Sequence, residues 1–206
     1  MCIKETVEML NYQFLNRSNK NRALVVGVDG LGGAGKTTFS QNVEQELRGS
    51  NYKVTTFHLD DHIVEKNKRY QTGHEEWYEY YYLQWDIDGI VTNLLEPLNN
   101  SHHILLPFYD KSTDSISTKR IDVLANSIVL IEGIFLQRKE WKNFFDFIAF
   151  IDCPFELRQK RVLNRDSYIG DFQVRLKKYT ERYWLGEKHY INTVNPASIA
   201  DLVINV

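Results

Sequence analysis

The stretch GLGGAGKT, Gly30 to Thr37, constrains this chain more than any other. It fits G-x-x-x-x-G-K-[ST] and stands between the β-branched run RALVVGVDG and the segment KTTFSQNVEQELRG, where Phe39, Val43 and Leu47 form one helical stripe and Gly49 ends it. Strand, loop, helix is the setting that this motif requires. With side chains nearly absent from Gly30, Gly32, Gly33, Ala34 and Gly35, backbone N–H groups can close around phosphate oxygens. The positive end of the following helix points at the same anion, Lys36 can bridge the β- and γ-phosphates, and the Thr37 hydroxyl, with Thr38 beside it, can reach Mg²⁺ and the nucleotide.

Four more runs read as strands: YKVTTFHL, SIVLIEGIFL, FFDFIAFIDC and DLVINV. Runs apolar on both faces and separated by helical segments predict a five-stranded parallel sheet with helices on both faces, the three-layer α/β sandwich of P-loop NTPases. One domain over residues 1–206 suits a chain that is 43% hydrophobic and 25% charged. Val7, Leu10 and Phe14 recur at helical spacing and predict an N-terminal helix within residues 1–21. HHILLPFYDKSTDSISTKRI predicts a β-hairpin insertion at 100–122.

Charge excludes some functions. Twenty-five Lys and Arg against 27 Asp and Glu leave a net charge of −2, with no basic block, which argues against nucleic acid as a partner. Cys2 and Cys153 offer neither a disulfide framework nor a paired metal motif, so a reducing, cytoplasmic setting is expected. The N-terminal stretch has acidic residues where a signal peptide needs an apolar core, and no apolar run approaches the ~20 residues of a membrane span. The expected partner is a small-molecule substrate, with no membrane; homo-oligomerisation is left open.

IVLIEG ends in Glu132, a carboxylate at the carboxyl end of a strand, where ligands collect in open α/β sheets. Glu132 is therefore a candidate, with Thr37, for holding Mg²⁺, the glutamate through water. No N-K-x-D guanine-reading motif is present, and an ABC-type ATPase is larger and carries a signature absent here. A small-molecule kinase remains, which needs a base near the phosphate, an acceptor pocket and mobile cations.

GVDGLGGAGKTT, HLDD after the second strand, LPFYD, VLIEGI and LRQKRVLNRD occur in an order and spacing that resemble the uridine kinase, phosphoribulokinase and bacterial pantothenate kinase group, over about Arg22 to Asp166. The resemblance implies ATP and Mg²⁺, with Asp60 taking the proton of the acceptor hydroxyl. It implies acceptor contacts at Asp86, Tyr109 and Asp110. Arg158, Arg161 and Arg165 fall at i, i+3 and i+7 on one helix; the resemblance makes this helix the start of a small lid at 158–180 and brings its arginines, Arg165 above all, to ATP phosphates. Without the resemblance, Asp86 reads equally as a helix cap and Tyr109 as packing. Of the aromatic run WYEYYYLQW, Trp77 and Tyr81 are the candidates for lining an acceptor pocket, the rest being helix packing.

Three departures bear on the acceptor. Ile63 stands where uridine kinases have a tyrosine, the hairpin turn DKSTDSISTK has no histidine, and after Asp166 only Arg175, Lys177 and Lys178 supply lid cations. The expectation is ATP-dependent phosphorylation of a nucleoside hydroxyl, uridine or cytidine first. The alternatives are a kinase of the same fold for pantothenate, a sugar or nicotinamide riboside, and a nucleotide-binding regulatory module without transfer activity. His58 and His62, four apart in FHLDDH, suggest a metal pair only on a helix; in the extended reading of KVTTF they stand roughly 13 Å apart.

Overall fold

The computed structural model describes residues 3–100 and 103–206. Five parallel strands form one sheet in the order β2-β5-β1-β6-β7: β1 (Leu24–Gly30), β2 (Val54–His58), β5 (Ile128–Gly133), β6 (Phe147–Asp152) and β7 (Leu202–Asn205). Every residue of β1 and β5 is buried, as runs with no polar face must be.

Alternation divides these strands between two cores. Val25, Val129, Ile131 and Phe150 face one side, packed with Tyr80, Leu94 and Tyr190 from helical segments and with Trp85 and Phe135 from the loops between elements. Val26, Val28, Leu130 and Ile128 face the other, against Leu10 and Phe14 of α1 (Ile3–Asn16) and Val43 and Leu47 of α2 (Lys36–Gly49). Cutting one of these leucines to alanine would cost about 2–5 kcal/mol, so the sheet is the stiff frame on which the loops at its carboxyl edge are carried.

The hairpin is a separate antiparallel pair, β3 (His103–Asp110) and β4 (Ser115–Asp122), with Leu106 opposite Lys119 and Tyr109 opposite Ile116. Ile104 and Leu106 anchor β3 in the core while β4 lies almost wholly exposed, so the pair projects as an arm beside the sheet.

LDDH, Leu59 to His62, is one 3₁₀ turn rather than a continuation of β2. The two histidines still do not meet: His58 Nδ1 lies 2.7 Å from Glu132 Oε1, and His62 Nδ1 lies 2.7 Å from the Pro107 carbonyl oxygen inside the core. Helix Phe155–Arg165 leads through 166–171 into a helix spanning 172–194, interrupted by a π turn at Tyr179–Tyr183. Cys153 is a buried free thiol, and Cys2 lies outside the described residues. Among the described residues no helix is long and apolar enough to cross a membrane.

Candidate active site

β1 delivers the chain into the loop of Gly30 to Lys36. Gly33 has φ +78°, and a Cβ there would stand 2.8 Å from Val162 Cγ1 and 2.9 Å from the Arg158 carbonyl oxygen, so any side chain would drive helix Phe155–Arg165 off the loop. Gly35 precedes α2 in the left-handed region with no side-chain cap, which leaves the first-turn N–H groups of α2 open to an anion. Lys36 arches back over the loop, its Nζ donating to the Leu31 carbonyl at 3.1 Å.

The parallel register sets Glu132 beside Val28 of β1 and His58 of β2, at the edge where the loop begins. There the Thr37 hydroxyl donates to Glu132 Oε1 at 3.0 Å. A hydroxyl and a carboxylate oxygen in contact are hard donors of the kind that suit Mg²⁺, and both line the cleft described below.

Two buried pairs brace the loop from behind. Glu187 accepts the Gly32 N–H at 2.8 Å on Oε1 and Arg158 Nη1 at 2.7 Å on Oε2, while Arg158 Nε donates to the Cys153 carbonyl at 3.1 Å. Burial pushes the Glu187 carboxyl up, and Arg158 holds it back. Asp29, fully buried at the end of β1, accepts from Tyr190 Oη at 2.6 Å, Gln137 Nε2 at 3.0 Å and the Gly30 N–H at 2.8 Å. These bonds tie the loop to helix Trp184–Val194.

The three arginines on one helix therefore have three tasks. Arg158 is a buried brace behind the loop. Arg161 Nη1 donates to the Gly33 carbonyl at 3.1 Å on the loop's outer side. Arg165 reaches the cleft, its Nε 2.6 Å from Asp166 Oδ1, and Asp166 is held in turn by the Tyr179 hydroxyl.

A cleft of about 850 Å³ runs from the phosphate loop to the hairpin, lined at one end by Lys36, Thr37, Glu132 and Arg165 and at the other by Tyr109 and Asp110. Asp60, in the 3₁₀ turn after β2, stands between them and keeps access to cleft solvent although protein surrounds it on most sides. Desolvation by the cleft walls pushes its carboxyl above the usual aspartate range; Lys36 and Arg165 pull it back, and Glu132 and Asp61 add to the rise. Tyr109 forms part of the wall, its hydroxyl donating to Asp114 at 2.9 Å, and Asp110 accepts from Ser112 N and Oγ in the hairpin's own turn.

Comparison with known proteins identifies the family. Residues 25–206 match the model of the Phosphoribulokinase / Uridine kinase family. The chain belongs to that family. A uridine kinase of Staphylococcus haemolyticus (strain JCSC1435) is 26% identical over 147 residues, covering 69% of this chain and 68% of the relative. A possible uridine kinase from Bacillus stearothermophilus superposes with TM-score 0.80 at 40% identity, covering 99% of this chain and 100% of that one. A D-glycerate 3-kinase from Cryptococcus neoformans shares the fold at TM-score 0.70 and 13% identity, over 98% of this chain and 95% of that one. As a member of the phosphoribulokinase / uridine kinase family, this chain is a phosphotransferase acting on a hydroxyl group.

Three of the acceptor residues expected from sequence lie outside the cleft of this family member. Asp86 is exposed and caps the helix that begins at Ile87, its side chain accepting the Gly89 N–H, so the capping reading is the one the structure displays. Trp77 donates from Nε1 to Glu75 and packs on His189. Tyr81 is core, packed edge-on against Phe135 and His189 with the Arg138 guanidinium over its ring. The helix turns the neighbouring Tyr80 to the cleft instead, together with Gln84. Helical phase is the reason: at about 100° per residue, a one-position error moves a ring from wall to core. Glu187, Tyr179 and Tyr183 also line the cleft, from the segment YTERYWLGEKHY, which carries no recognisable motif.

Proposed function

We propose that this protein transfers the γ-phosphoryl group of ATP to a hydroxyl of a small polar metabolite. One observation carries the reading: the phosphate loop, Lys36, the Thr37–Glu132 pair, Arg165 and Asp60 all open on a single cleft whose far end is walled by the hairpin. The acceptor oxygen attacks the γ-phosphorus as its proton passes to Asp60, the bond from phosphorus to the bridging oxygen breaks, and ADP leaves. Lys36 and the open N–H groups of α2 hold the phosphates in line, and Arg165 is released from Asp166 to meet the charge on the transferring group. Thr37 and, through water, Glu132 would hold Mg²⁺, which when bound neutralises charge on the β- and γ-phosphates. A second cavity, on the loop's outer side beside Thr38, Arg161 and Asn164, is where the nucleotide's base would lie.

Uridine or cytidine as acceptor rests on the relatives' names and on the resemblance. The reading we favour is a non-nucleoside metabolite, because Asp86 and Trp77 leave the cleft and Ile63 lines it. A coupled ADP-release assay over nucleosides, pantothenate, sugars, hydroxy acids and nicotinamide riboside tests both. With the best acceptor, Asp60→Asn should lower kcat by roughly 10²- to 10⁴-fold while MgATP still binds; wild-type turnover would remove Asp60 as the base.

A further inference from the structure

Four arginines are buried among the described residues: Arg69, Arg138, Arg158 and Arg182. Three of them lie against carboxylates, Arg138 with Glu140 at 3.1 Å, Arg158 with Glu187 at 2.7 Å and Arg182 with Glu79 at 3.0 Å. Arg69, only 5% exposed, has no carboxylate within ion-pair distance among the described residues, and of the four it alone lines the cleft. Its Nε donates to the Val64 carbonyl at 2.7 Å and its Nη2 to the Tyr109 hydroxyl at 3.2 Å. The guanidinium lies against the Tyr70 and Tyr109 rings, 4.8 and 5.2 Å from their centroids. Asp114 lies beyond ion-pair distance: it accepts the Tyr109 hydroxyl that Arg69 meets, and its charge acts on Arg69 and Lys66 from there. Burying a cation with no counter-charge in contact is costly, and a guanidinium fixed in this way is a fork held ready for an oxyanion.

The surroundings have the same sign. Lys66, Lys111 and Lys119 line the same end of the cleft, none with an ion pair among the described residues, and Lys119 Nζ rests on the Phe108 ring at 4.4 Å. Against these cations the acceptor end sets Asp61 and Asp110, and Asp110 is engaged by Ser112. Lys36 and Arg165, which act on Asp60, belong to the phosphate end. A neutral acceptor gives the cations at the hairpin end nothing to neutralise.

We infer that the acceptor is an anionic alcohol, carrying a carboxylate or a phosphate monoester at the end away from the transferred hydroxyl, and that Arg69 receives this group, with Lys119 lining the same cleft. This rests on the phosphotransfer reading above and narrows its acceptor.

The experiment uses matched pairs differing in the anion: glycerol with glycerate, and ribose with ribose 5-phosphate, with uridine as a neutral nucleoside. In ADP release, the anionic member of at least one pair should exceed its neutral partner in kcat/KM by tenfold or more, and which pair responds separates carboxylate from phosphate. Arg69→Gln should shrink that ratio by roughly 10- to 100-fold, the scale of a lost charge-assisted pair. Lys119→Gln, at an exposed position, should shrink it in the same direction by less. A wild-type ratio near one in both pairs, or uridine as the preferred acceptor, overturns the inference and leaves the kinase reading standing. A ratio that survives both substitutions overturns the role of Arg69. If no acceptor is phosphorylated, the kinase reading fails. Calorimetry with the same pairs, the phosphate loop filled by MgADP, then decides the anion site alone: equal affinity within both pairs overturns it.

Discussion

The two ends of the cleft are built in opposite ways. The phosphate end comes from one continuous stretch, Gly30 to Thr38, closed by Glu132 on the adjacent strand and braced by the buried Arg158–Glu187 ion pair and the hydrogen bonds of buried Asp29. The acceptor end is assembled from pieces far apart in sequence: the segment after β2, the hairpin, and Tyr179 and Tyr183 from the π turn of a helix near the chain's other end. The first grips a ligand that every enzyme of this reaction type shares, and backbone amides suffice. The second must fit one acceptor, so side chains decide it, and side chains on separate elements can change independently.

If that contrast holds, the largest effect should come from unbracing the phosphate end. Arg158→Met leaves Glu187 buried without its partner and should cost about 3–5 kcal/mol in urea unfolding. The double variant Arg158→Met with Glu187→Met should regain a large part of that loss, because an apolar pair has no charge to desolvate. Equal destabilisation of single and double variants would mean that the pair is not what holds the loop.

A smaller effect sits where the two ends meet. If Asp60 is the base, it must be ionised to accept a proton, and its pKa is raised by burial, so kcat/KM should fall on the acid side at a pH above the usual aspartate range. Activity is gained as pH rises through that value. Asp61→Asn removes a like charge and should move the limb to lower pH; an unmoved limb would assign it to another group.

The smallest effect tests the acceptor end. Asp86→Ala should cost about 1 kcal/mol of stability through the lost cap and leave the acceptor KM unchanged. A large rise in KM would return Asp86 to the acceptor site.

Legibility in the sequence follows the same division. The β-branched runs and glycine-rich loop foretold all five parallel strands and the position of Lys36, Thr37 and Glu132, because period and motif are local properties. The hairpin was visible for the same reason. Trp77 and Tyr81 were expected in the pocket and Tyr80 occupies it, since no local pattern tells which face of an aromatic helix meets the cleft and which meets Phe135. Arg158 and Arg165 share a helical stripe, yet one is sealed against Glu187 and the other open, a difference made by a residue far along the chain.

By itself, then, the sequence determined the sheet, the phosphate loop and the reaction type that a loop with lysine, threonine and a strand-end carboxylate can support. The tertiary structure alone decided that Glu187 braces Gly32, that Asp86 caps a helix, and that Arg69 lies buried between two tyrosines without a carboxylate. The physical reason is range: hydrogen-bond geometry along one segment is set by neighbours in the chain, whereas burial and pairing of a charge depend on which distant elements pack around it.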